Sequence, residues 1–240
     1  MEQIAQLQRM LDASSKVVFF GGAGVSTESG IPDFRSTDGL YNQKYPYPPE
    51  TMLSHTFYRQ HTTAFFDFYR DKMLYPQAKP NVAHKKLAEL ERAGKLTAVV
   101  TQNIDGLHQA AGSKQVLELH GSVLRNFCES CGKEYPEEAV LNSIGIPRCP
   151  CGGIIKPDVV LYEEGLNQEI LEAAVQAIEH ADMLIVAGTS LVVYPAAGLI
   201  RYYSGRRLVL INRTPTSADS EADLVLHAPV GEVLGQLQVN

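Results

Sequence analysis

KVVFFGGAGVSTESGIPDFRS, residues 16–36, decides how this 240-residue chain is read. Residues 16–20 form a short β-branched and aromatic run that reads as a buried strand. The glycines after it let backbone N–H groups approach a pyrophosphate where a helix would begin. That helix is cut short, because Gly30 and Pro32 cannot sit inside one. Asp33, Phe34 and Arg35 come instead, an acid, an aromatic and a cation where a hydride-transferring enzyme would keep winding helix. The pattern predicts a dinucleotide bound for something other than hydride transfer.

Working outward, apolar runs recur at 96–100, 116–119, Met183–Ala187, Leu208–Ile211 and Leu224–Leu226. Their apolarity is continuous rather than alternating, which marks strands buried on both faces of a parallel sheet covered by helices. Helices are predicted near the start (Ile4, Leu7 and Leu11 on one face), at Val82–Arg92 with Gly94 as stop, and at 168–181 with Asn167 as N-cap. The expected fold class is α/β, a doubly wound, largely parallel Rossmann-like sheet on 1–36, 81–123 and 157–240. Two stretches read as inserts. Residues 37–80 give a cofactor loop rich in Tyr and Pro and then a helical segment with Phe57, His61, Phe65 and Phe68 on one side. Residues 124–156 hold all four cysteines and little apolar material of their own. The uncharged stretch 183–200 approaches the length of a membrane span. Gly188-Thr189-Ser190 and Pro195 break it into a strand, a turn and a helix begun by Pro195 and stopped by Gly205.

The net charge of -6, from 27 acidic against 21 basic residues, argues against nucleic acid as a direct partner, since phosphate neutralisation wants a basic face. No membrane partner is expected. The opening residues lack the basic-then-apolar pattern of a signal segment, so a cytoplasmic location is expected.

Cys128-x-x-Cys131 and Cys149-x-Cys151 are each followed by glycine, at Gly132 and at Gly152-Gly153. Two tight thiolate turns of this kind suit a tetrahedral Cys₄ zinc site, although the second is one residue shorter than the commoner C-x-x-C. A disulfide framework is the alternative, disfavoured in a chain without a secretory signal. A closed four-thiolate shell leaves no position for water, so a zinc ion here is expected to be structural.

Polar residues gather at the predicted strand ends: TQNIDGLH (101–108), His120, Gly188-Thr189-Ser190 and Asn212. Any one of them could be a helix cap or a turn. Together they point to one crevice at the C-terminal edge of a parallel sheet, where such folds bind ligands. His120, beside that crevice and followed by glycine, is a candidate base.

The ordered set GAGVSTESGIPDFRS (22–36), TQNIDGLH (101–108), LHGS (119–122), the four cysteines, KPDVVLYEE (156–164), GTSL (188–191) and INR (211–213) resembles the sirtuin family of NAD-dependent protein deacylases. The likeness covers nearly the whole chain, in a compact bacterial form. It implies that Gly22, Ala23, Gly24, Asp33, Phe34 and Arg35 contact NAD, with Phe34 shielding the reacting ribose. Gln102 would hold the ribose, and Asn103, Ile104 and Asp105 the nicotinamide pocket, Asn103 and Asp105 sharing in catalysis. Gly188, Thr189, Ser190 and Asn212 would hold the adenosine half, with Val230 near the adenine, and His120 would be the general base. Val159, Val160, Leu161, Tyr162 and Glu163 would pair edge-on with a substrate peptide, whose acyl-lysine enters a tunnel beneath them. Tyr69 and Lys72 stand where relatives that prefer succinyl or malonyl groups carry a Tyr-x-x-Arg pair.

The implied reaction consumes NAD and gives free lysine, nicotinamide and O-acetyl-ADP-ribose. Deacetylation is expected to dominate, because lysine at 72 lacks the bidentate fork of arginine. The alternatives are a succinyl or malonyl preference and mono-ADP-ribosyl transfer from the same pocket. A Rossmann oxidoreductase is disfavoured, since Gly22-x-Gly24 is not completed as G-x-G-x-x-G. A non-enzymatic NAD sensor would need no base at His120. Gly21 stands where many relatives have Thr, and Glu163 where many have Gly, an added carboxylate that would favour basic residues in the substrate.

Overall fold

The computed structural model of the chain describes residues 2–34, 39–40 and 45–239. Every residue of β1 (Val17–Gly21) is buried, and it lies between two parallel neighbours, β2 (Leu96–Thr101) and β7 (Met183–Ala187). With β3 (Val116–Glu118), β8 (Leu208–Ile211) and β9 (Leu224–Leu226) it forms a six-stranded sheet of order β3-β2-β1-β7-β8-β9. Successive side chains of a strand point to opposite faces, so β1 feeds two cores. Val17 and Phe19 meet α1 (Glu2–Asp12), α5 (Val82–Arg92) and α9 (Val230–Gly235). Val18 and Phe20 meet α8 (Gln168–Glu179) and the segment Ala196–Tyr202. The sheet is therefore covered on both sides, as continuous apolarity requires, and each fully buried Val or Phe contributes about 1.5–3 kcal/mol.

Helix boundaries follow the capping chemistry. Asn167 accepts the Ile170 N–H at 3.1 Å to start α8, and Asn81 makes a capping box with His84 to start α5. α8 stops at Glu179, where the His180 ring bonds back to the Gln176 carbonyl at 2.7 Å. After β1 the chain winds two 3₁₀ turns, Ala23–Val25 and Thr27–Ser29, before Gly30. The segment expected to be an α-helix from Pro195 is 3₁₀ over Ala196–Tyr202, with Gly198 in its interior weakening an α-helix. Among the described residues no helix is long and apolar enough to cross a membrane.

The first insert contains α2 (Pro49–Met52), α3 (His55–Gln60) and α4 (Thr62–Lys72). The single helical segment expected there is thus two helices, broken at an exposed His61. α6 (Leu107–Ala111) follows β2. The second insert is an antiparallel sheet of order β5-β4-β6, built from β4 (Gly121–Cys128), β5 (Glu134–Pro136) and β6 (Ile155–Val159), with α7 (Glu138–Leu141) beside it. Its few apolar residues, Val140, Ile146 and Ile155 among them, share one core with Tyr58, Phe65 and Phe66 of the helical lobe. Tyr58 Oη also donates to Glu129 at 2.8 Å, so the two inserts lean on each other.

Candidate active site and metal centre

A cleft of about 770 Å³ opens over the C-terminal ends of β1, β2, β7 and β8. β1 and β7 flank the point where strand order reverses, the usual ligand position in such sheets. The backbones of their loops touch: Gly24 N–H donates to the Gly188 carbonyl at 2.8 Å, and a Cβ on Gly24 would stand 2.8 Å from Gly188 Cα. Ala23 and Gly24 line the cleft, whereas Gly22 lies beneath it with its N–H bonded to Ala187. The glycines therefore serve this loop-to-loop approach as well as any phosphate.

A chain of hydrogen bonds crosses the floor. Asn103 Nδ2 donates to Ser26 Oγ at 3.0 Å, Ser26 Oγ donates to Asp105 Oδ2 at 2.6 Å, and Asp105 Oδ1 accepts the Leu107 N–H at 2.9 Å. Asn103 and Asp105 are thereby fixed at the wall, with Ile104 between them. Ser26, which orients both, was not among the sequence candidates, and its only signal was its place in the glycine loop. Gln102 also lines the cleft, and its Nε2 is a buried donor without a partner among the described residues. Such a donor matches the hydroxyl oxygens of a ribose.

His120 sits in the turn from β3 into β4. Its Nδ1 lies 2.9 Å from the Gln102 carbonyl. A carbonyl only accepts, so Nδ1 carries the proton and Nε2 keeps the lone pair. Burial pushes its pKa below the ordinary histidine value, partly offset by the Gln102 bond. It is therefore neutral at neutral pH. Gly121 must follow it: φ is 76°, and a Cβ there would collide with the Asp158 carbonyl.

On the β7–β8 side Gly188, Thr189, Ser190 and Asn212 reach the wall, as does Val230 at the start of α9. Glu28 Oε2 accepts the Gly231 N–H at 2.7 Å, tying the loop after β1 to α9. Asp33 and Phe34 line the opposite side; Arg35 lies outside the described residues. Tyr75 and Tyr194 are wall residues that sequence reasoning missed, because neither belongs to a quoted motif.

Val159, Val160, Leu161, Tyr162 and Glu163 line the cleft mouth. Val160 N–H donates to the His120 carbonyl at 3.0 Å, while Tyr162 pairs with the lobe through Leu53 and His55. The Val160 carbonyl and the Glu163 backbone have no hydrogen bond among the described residues. Of Tyr69 and Lys72, Lys72 reaches the wall, with Nζ 2.9 Å from Asp71 Oδ2. Tyr69 does not: one turn from Phe65 on α4, it is fully buried in the lobe, and its hydroxyl has no partner among the described residues.

Cys128 Sγ is 3.4 Å from Cys151 Sγ, and Cys131 Sγ is 3.7 Å from Cys149 Sγ, with all four within 4.8 Å of one another. Tetrahedral zinc at about 2.3 Å from each sulfur spaces its thiolates by roughly 3.8 Å, so the four cysteines fit a structural zinc ion. Tyr135 Oη donates to Cys149 Sγ at 3.0 Å, the first cause of a thiol pKa lowered to about 6.

Residues 22–195 match the model of the Sir2 family. An NAD-dependent protein deacetylase of Clostridium acetobutylicum is 60% identical, covering 98% of this chain and 97% of its own length. One of Clostridium perfringens is 58% identical, covering 98% of each. A solved Sir2 structure with a deacetylated p53 peptide and 3′-O-acetyl-ADP-ribose superposes with a TM-score of 0.89 at 39% identity, covering 97% of this chain and 96% of that one. The chain belongs to the Sir2 family.

Proposed function

We infer that the protein is an NAD-dependent protein lysine deacetylase, which converts an acetyl-lysine peptide, NAD and water into free lysine, nicotinamide and O-acetyl-ADP-ribose. The observation that carries this reading is His120, whose Nδ1 is fixed by the Gln102 carbonyl at 2.9 Å beside the Asn103–Ser26–Asp105 chain. When bound, NAD supplies an electrophilic ribose carbon as its nicotinamide leaves. Asn103 and Asp105 orient the carboxamide, with Ile104 closing the pocket. Gln102 Nε2 donates to a ribose oxygen, and Phe34 covers the ribose and excludes water. His120 Nε2 takes the proton from a ribose hydroxyl, a task that needs the lone pair held ready at neutral pH.

Gly22, Ala23 and Gly24 let the pyrophosphate come close, joined by Asp33 and Arg35. Gly188, Thr189, Ser190, Asn212 and the backbone at Val230 take the adenosine half. The substrate peptide adds as a strand along Val159–Val160–Leu161–Tyr162–Glu163, where the Val160 carbonyl and the Glu163 backbone lack partners among the described residues. Residues 1–36, 81–123 and 157–240 form the cofactor-binding body, 37–80 the helical insert and 124–156 the zinc module. A cytoplasmic location belongs to the same reading, and fractionation of source cells tests it.

Mass spectrometry of products from NAD and an acetyl-lysine peptide decides the reaction. O-acetyl-ADP-ribose is expected, and its absence, or ADP-ribose attached to the peptide instead, overturns the reading. The Asp71–Lys72 pair leaves this lysine partly neutralised, so kcat/KM on acetyl peptides is expected to exceed that on succinyl peptides. A succinyl preference would reverse that assignment and leave the rest intact.

A further inference from the structure

A second hollow, of about 430 Å³, lies between the helical lobe and the peptide edge. Tyr162 and Glu163 form part of its wall and also part of the cleft mouth, so the two cavities meet along the edge assigned to the peptide. The lobe side is aromatic. Phe57 and His61 have ring centroids 4.9 Å apart, Tyr47 stands at 65° to Phe57 at 5.5 Å, and Tyr47 stacks on His61 at 6.4 Å. Glu50 and Glu163 add two carboxyl groups, and among the described residues no lysine or arginine lines the hollow. Aromatic faces and carboxylates favour the same ligand, a cation with an apolar stem.

Glu163 shows how the rim is fixed. Its φ of 77° is left-handed, a conformation that costs a side-chain-bearing residue about 1–2 kcal/mol. Its Oε2 accepts the Thr56 N–H at 2.8 Å, which pins the carboxylate at the rim. Glycine would relieve the backbone but remove that charge. Outlying backbone of this kind is a reason to look for function at the residue.

We propose that this hollow is a specificity pocket for the cationic side chain of a lysine or arginine flanking the acetyl-lysine of the substrate. It rests on the strand-addition reading of the peptide. An extended peptide beside 159–163 places its flanking side chains at intervals of about 3.3 Å along the edge, within reach of a pocket that shares Tyr162 and Glu163 with the cleft. One bound cation meets both the carboxylates and the ring faces.

The test uses the full chain with its zinc and short acetyl-lysine peptides carrying Arg, Lys, Gln or Glu at each flanking position in turn. Peptide binding is read by fluorescence anisotropy and turnover by kcat/KM. At one position a preference of about tenfold for Arg or Lys over Gln is expected, carried by Kd and KM and weakened by salt. The Arg and Lys arms show which cation is preferred. In Glu50→Gln and in Tyr47→Leu the ratio is expected to fall to about twofold. Binding that is flat at every position, or a ratio unchanged in both variants, overturns the pocket. Selective binding without turnover on any peptide overturns the deacetylase reading and leaves the pocket standing.

Discussion

The six-stranded and three-stranded sheets are held together by opposite means. In the large sheet β1, β7 and β8 are buried along their whole length, and helices cover both faces. In the small sheet β5 has no buried residue, β4 mixes buried and exposed positions, and the packing around it comes from four clustered thiols and from aromatic side chains lent by the lobe. Burial on both faces supports the first, whereas the second is expected to depend on a metal held by its cysteines. The proposed base sits at the junction, since β4 begins one residue after His120. β4 thus runs directly from the turn that carries His120 to Cys128, so a metal held by the four cysteines would act on the base only through the position of this strand.

Removing a zinc ligand tests that contrast most severely. Cys149→Ser should lose the metal, and with it a linkage of about 10 kcal/mol or more in folding zinc peptides. Hydrogen exchange should then rise across 121–159 while Met183–Ala187 and Leu208–Ile211 stay protected. A chelator that strips zinc without changing exchange or activity refutes the structural role. His120→Ala should leave both sheets protected and NAD binding within a few-fold, yet lower kcat by about 10²–10⁴. Loss of NAD binding in that variant would make His120 a cofactor ligand instead.

Acid should attack the large sheet instead. His84 of α5 and His108 of α6 are buried with ring centroids 4.7 Å apart, and desolvation lowers their pKa values from 6.5 to about 4 and about 3. Both are neutral when folded and protonate more readily when unfolded. Their contribution is complete above the unfolded value and is lost as pH falls below it. Each should cost about 2 kcal/mol by about pH 5, read as a lower midpoint in denaturant. A midpoint that does not move between neutral pH and that point would contradict this. Phe34→Ala should have the smallest effect, about tenfold in kcat with less change in NAD affinity; an equal loss in both would make Phe34 a binding residue only.

The large sheet was legible because its strands carry one unbroken signal. The cysteine spacing was legible for a different reason, since two short thiol turns have few other uses. β4 escaped notice because Gly-Ser-Val-Leu-Arg-Asn-Phe-Cys has no steady alternation, and β6 because Pro157 sits inside it. Tyr69 could have been placed from its spacing: four residues after Phe65 it must share the buried face of α4, leaving Lys72 at the cleft without it. The Ser26 chain could not, because it joins residues far apart in sequence through side-chain angles that no pattern records.

The position of β1 has a consequence for synthesis. The strand ends at Gly21, but its partner β7 begins only at Met183. At about 5–20 residues per second, a nascent chain would carry one edge of Val17–Gly21 unpaired for roughly 10–30 s. An apolar edge exposed that long is a template for pairing with another chain. The emerging chain is thus expected to be a chaperone client until β7 has left the ribosome.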